Sequence, residues 1–139
     1  MEAAIEAVMA VTFFSIILLA CLTAISLETA YVSLNYLAEN NSLIAMSIAY
    51  QLALRNLDNP LLWKNCDLKT FLSTLDIPPH LSVNITVICY GVSPQGSLQL
   101  LWSKSALRGS FPSFSLLGRA YYVQLLSNGS LVVIECVAG

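Results

Sequence analysis

Residues 7–27 read AVMAVTFFSIILLACLTAISL, an unbroken run without a single charge. As a helix rising 1.5 Å per residue, such a run reaches roughly 30 Å, the thickness of a bilayer's hydrocarbon core. From Val8 to Leu27 the aromatic pair Phe13 and Phe14 and the surrounding Ile and Leu residues leave no polar face. The segment therefore requires an apolar environment on every side, lipid or protein. Just before it stand Glu2 and Glu6, in first helical turns where the positive end of the helix dipole favours carboxylates. An unpaired charge at the edge of hydrocarbon is costly, so Glu6 would gain from pairing with a neighbouring chain's amino terminus. The first basic residue is Arg55, whereas a secretory signal opens with positive charge. Two starts fit: a plain N-terminal anchor, or a mature chain from which a short basic leader has been cut.

The helical composition does not end with the apolar run. Residues 2 to about 57 contain neither proline nor glycine and are rich in Ala, Leu, Ile, Met and Ser, which predicts one helix on the order of 80 Å long. From Leu27 onward, Leu27, Tyr31, Leu34, Ala38, Ala45, Ile48 and Leu52 recur at three- to four-residue steps, interrupted at Asn41, with Glu28, Asn35, Glu39 and Gln51 between them. That half is amphipathic and has one face to pack. Small residues along the helix (Ala10, Ser15, Ala20, Ala24, Ser26, Ala30, Ser33) allow close approach of other helices. A single-pass anchor has no use for some thirty further helical residues with an apolar face. Such an extension calls for partner helices.

Asp58-Asn59-Pro60 is a strong breaker that ends the helix near Asn56. Residues 58–80 form a linker in which Asp67 caps a short helix through Lys69-Leu72, closed off by Pro78-Pro79. From 81 to 139 the texture is that of strands: Leu81–Val92, Ser97–Trp102, Tyr121–Ser127 and Ser130–Val137. Asn128-Gly129 between the last two is a hairpin signal, since a type I′ turn needs positive φ at both central residues. The stretch between Trp102 and Tyr121, with Gly109, Pro112 and Gly118, reads as a loop. The expected fold is α+β, a long N-terminal hydrophobic helix over residues 1–57 followed by a small antiparallel β-rich head.

The chain is 57% hydrophobic and 10% charged, with net charge −2, far from the balance of an ordinary soluble domain. Its six basic residues are scattered, so no nucleic-acid footprint is visible. Of four cysteines, Cys21 lies in the apolar run. Among Cys66, Cys89 and Cys136, a Cys89–Cys136 disulfide is the favoured pair: both fall near ends of candidate strands, and a head of about 80 residues has a small core. Buried free thiols are the alternative. Asn-x-Ser/Thr sequons stand at Asn40, Asn84 and Asn128. In an extracellular head Asn84 and Asn128 are the better acceptors, and Asn40 requires that part of the helix to face outward. His80 is the only histidine and no nucleophile elbow, phosphate loop or metal-ligand spacing is present, so neither an enzyme nor a cofactor is expected.

An acidic start, the run Glu6-Ala-Val-Met-Ala-Val-Thr-Phe-Phe-Ser-Ile-Ile-Leu-Leu, a continuous long helix and a compact β head together resemble type IV pilins, and the related archaeal pilins in particular, whose helices carry no internal breaker. The resemblance implies a basic leader removed by a dedicated peptidase, a helix held in the membrane, and extrusion by an ATPase-driven assembly machine. The product is a homo-oligomeric extracellular filament with the helices bundled at its core. Glu6 matches the family's acidic residue, which stands fifth in the mature chain, whereas Glu6 is sixth in this numbering; either the mature start is Glu2 or the pairing geometry differs. The subunit interface is then expected to use Glu6, Phe13, Phe14, Ile17, Leu18, Leu22, Tyr31 and Leu34. Surface adhesion or a related pilus role is the expected function. A membrane-anchored minor pilin or assembly protein outside the bulk filament is the alternative.

Overall fold

The computed structural model of the chain describes residues 2–113 and 115–139, with side chains described for Glu6 and from Val8 onward. The expectation for Glu2 falls on a side chain outside that set. The absence of proline and glycine allows α1 to run unbroken from Glu2 to Asn56, and four antiparallel strands complete the expected α+β layout. The chain divides into two compact units, Met1–Tyr36 and Leu37–Gly139. Among the described residues the first is helix alone, and the second contains the last turns of α1 with the described residues that follow.

The end of α1 depends on Leu57, which takes a left-handed φ of 45° while its N–H donates to the Ala53 carbonyl at 2.8 Å. A leucine there is strained by roughly 1–2 kcal/mol. The strained peptide is held from outside: its carbonyl accepts the Trp63 indole N–H at 2.9 Å and the Gln124 amide at 3.0 Å.

Asp58-Asn59-Pro60 also starts a helix, which the sequence reading missed. In α2 (Pro60–Asn65) the Asn59 side chain accepts the N–H groups of Leu61 and Leu62, and Pro60 occupies the first turn, where its missing donor costs nothing. The region read as a linker with one short helix thus holds two. The second, α3 (Leu68–Thr74), is capped by Asp67 as expected.

The sheet comprises β1 (Val83–Val92), β2 (Leu98–Arg108), β3 (Gly118–Leu125) and β4 (Leu131–Ala138), in the order β2-β1-β4-β3. Two hairpins lie side by side, with β1 and β4 at the centre. Their turns are alike. Leu126 N–H donates to Ser130 O and Gly129 N–H to Leu126 O, just as Ser93 N–H donates to Ser97 O and Gly96 N–H to Ser93 O. In each, only the glycine has positive φ: 81° at Gly129 and 79° at Gly96. The Asn128-Gly129 hairpin is therefore real, but its turn is the three-residue kind with a left-handed glycine rather than type I′.

Strand β2 is longer than the sequence reading, and much of the expected Trp102–Tyr121 loop is strand. The inward positions of its far half are Lys104, Ala106 and Arg108, and two cations on an inward face disguise the alternation. Lys104 donates to the carbonyls of Lys64 and Cys66 at the end of α2. Arg108 donates to Leu72 in the last turn of α3 and to Leu75 and Ile77 just beyond it. Orphan carbonyls at helix C-termini are natural partners for cations.

The core of the second unit lies between the inner sheet face (Val83, Ile85, Val87, Val132, Ile134) and a helical layer that includes Ala45, Ile48, Leu52, Trp63 and Phe71. Gly118, opening β3, crosses α1 so closely that a Cβ there would meet the backbone of Asn41 and Ser42. Asn41, the interruption in the apolar pattern, donates to Leu116 O at 2.7 Å and pins the approach to β3.

Candidate assembly surface

From Val8 to Leu37 every residue of α1 is exposed, including Phe13 at 69% and Phe14 at 67%. At 1.5 Å per residue this bare stretch covers roughly 45 Å, half as long again as a bilayer's hydrocarbon core. Its serine and threonine hydroxyls are spent internally: Thr12, Ser15, Thr23, Ser26, Thr29 and Ser33 each donate to a carbonyl one turn back. Over residues 7–27, where Thr12, Ser15, Thr23 and Ser26 are the side-chain hydroxyls present, the helix enters an apolar environment without orphan hydroxyl donors. Among the described residues α1 is the one helix long and apolar enough to cross a membrane.

The expected interface residues share this exposure. Glu6, Phe13, Phe14, Ile17, Leu18, Leu22, Tyr31 and Leu34 are all exposed, so within one copy none of them is buried against the chain's own fold. Tyr31 and Leu34, which the periodicity placed on the packing face, lie N-terminal to the buried part of α1. That part begins at Ala45.

The expected Cys89–Cys136 disulfide is not formed; both cysteines are free and buried. They lie on adjacent strands and on the same inner face, but Cys89 stands opposite Val132 and Cys136 opposite Ile85. That offset of four residues separates them by about 13 Å along the strands, well beyond the roughly 7 Å limit for a bridge. Burial raises both thiols, Cys136 to about 12, so they act as small core hydrophobes.

Of the sequons, Asn84 and Thr86 share the outer face of β1, with Ile85 buried between them. Asn128 is exposed in its turn, and its side chain accepts the Ser130 N–H at 3.0 Å. Asn40 is exposed on α1.

Two features escaped the sequence reading. The outer sheet face is itself apolar at Leu107, Tyr121, Val123 and Leu125, all exposed, an alternation that β2 and β3 carry but that was assigned partly to loop. Between α1 and β3 lies a groove of about 520 Å³ lined by Ala38, Ser42, Leu43, Met46, Ala120 and Tyr121. Only the crossing at Gly118 creates it, and no local motif marks it.

Comparisons of the chain with protein-family models, with curated proteins and with solved structures find no match.

Proposed function

We propose that this chain is a structural subunit of an extracellular, type IV pilus-like filament. The observation that carries the reading is α1 itself, apolar on all sides from Val8 to Leu27 and exposed from Val8 to Leu37. Before assembly, residues 7–27 sit in the membrane as an anchor. After extrusion by an assembly machine, with a leader peptidase acting beforehand, the same surface packs against α1 of neighbouring copies. Once out of the membrane, keeping apolar surface from water is worth about 25 cal/mol per Å², so a bare helix of this length strongly opposes release of a subunit from the filament into water. The sheet-bearing unit then faces outward for adhesion, with Asn84 and Asn128 as glycan acceptors.

The test is to shear source cells, pellet the released material, image it, and identify its subunits and N-terminal residue by mass spectrometry. Thin filaments made mainly of this chain are expected, and Ile17→Asp or Leu18→Asp should abolish them while the chain is still produced. Recovery only as isolated copies in the membrane fraction would instead favour an anchored accessory protein.

A further inference from the structure

We infer that the groove between α1 and β3 seats the uncharged helical segment, residues 7–27, of a second copy of this chain. The inference rests on the filament reading and specifies the surface that receives each incoming helix. The groove's walls are apolar at Leu43, Met46, Ala120 and Tyr121. Its one hydroxyl on the α1 side is already satisfied, because Ser42 donates to Ala38 O at 2.9 Å. The opening carries one charge of each sign, Glu39 on α1 and Arg119 on β3, and Arg119 is 3.7 Å from Glu135. Arg119 thus already has a partner, and the lining between the two rims is apolar, which suits a neutral occupant.

Residues 7–27 are uncharged throughout, exposed from Val8 onward, and internally hydrogen-bonded at their hydroxyls. Ala20 and Ala24, four residues apart, share one face beside Ile17 and Cys21. Small side chains there let a helix settle deeply while Ile17 supplies apolar contact. The two complementary surfaces are different parts of the molecule, so the contact is head-to-tail, and such contacts generate open helical polymers when the rotation between copies does not close into a ring. Copies anchored side by side in a membrane stand level. Seating residues 7–27 against residues 38–46 requires an axial shift on the order of tens of Å, so the contact forms only as copies leave the bilayer.

A benzoylphenylalanine photo-crosslinker at Met46 or Leu43 of the full chain, in cells irradiated before shearing, tests this directly. Crosslinked dimers are expected in the filament fraction and not in the membrane fraction, with the captured peptide inside residues 7–27. In parallel, Ser42→Trp, which fills the groove, should reduce filaments to background while the membrane pool stays at the wild-type level. Filaments whose crosslinks map to another copy's sheet, or that persist undiminished with Ser42→Trp, would overturn the inference and leave the filament reading standing. Absence of filaments from wild-type cells would remove that reading and this inference with it.

Discussion

The indole N–H of Trp63 donates to the carbonyl of Leu57 at 2.9 Å, tying α2 to the left-handed residue that ends α1. Because Trp63 is 1% exposed, its replacement by Phe keeps most of the packing and removes the bond. Trp63→Phe should cost about 1–2 kcal/mol. Leu57→Gly, which relieves the positive φ at an exposed position, should stabilise by up to about 1 kcal/mol. Denaturant unfolding of the detergent-solubilised chain measures both, and equal losses from the two variants would contradict this account.

Gly118 tests the crossing of β3 over α1. A Cβ there would stand 2.7 Å from Ser42 Cα and closer still to the adjoining backbone, and backbone cannot step aside as a side chain can. Gly118→Ala should therefore destabilise by at least about 2 kcal/mol. A neutral substitution in the same unfolding assay would mean that β3 does not approach α1 so closely.

Arg108 binds three carbonyls at the end of α3 and on the segment that follows it with one planar fork. Arg108→Ala should cost about 2 kcal/mol, in the range for hydrogen bonds from a charged donor. Arg108→Lys should recover less than half of that, because an ammonium does not reproduce the fork. Full rescue by lysine would show that charge alone matters.

The cysteines make a redox prediction. Mass spectrometry should find no loss of two hydrogens between reduced and untreated protein. Iodoacetamide should leave Cys89 and Cys136 unmodified in the folded chain at pH 8 and modify them after unfolding. Since burial holds Cys136 at about 12, raising the pH to 10 should not expose it. A Cys89–Cys136 peptide in a non-reducing digest would refute the register in which Cys136 faces Ile85.

Asp67 predicts an acid sensitivity. Its carboxylate accepts from the Thr70 hydroxyl at 2.7 Å and from the Thr70 and Lys69 N–H groups. Those bonds, led by the Thr70 hydroxyl, hold its pKa below the ordinary 3.8. For a carboxyl lowered on folding, the stabilisation is fully present above the unfolded value and disappears as pH falls through the folded one. The wild type should thus lose a small increment of stability below about pH 4. Asp67→Asn, which still caps but does not titrate, should lack that increment; identical acid titration curves for the two would remove the basis for it.

How much was legible in the chain depended on the range of the interactions. The long α1, its end at Asn56, the capping of α3 by Asp67 and the two hairpins follow from signals within a few residues: no breaker, a side-chain acceptor before a helical turn, a glycine free to take positive φ. The strand order β2-β1-β4-β3, the length of β2 and the separation of Cys89 from Cys136 do not. Lys104 and Arg108 read as loop residues because their partners, the carbonyls at Lys64 and Leu72, lie dozens of residues earlier. Spacing along the chain placed both cysteines in strands, but only the pairing register shows that they sit four residues out of step. The groove beside Gly118 likewise belongs to no segment. It exists because a residue without a side chain lets β3 approach α1, a contact that local propensity does not encode and that packing of the whole second unit decides.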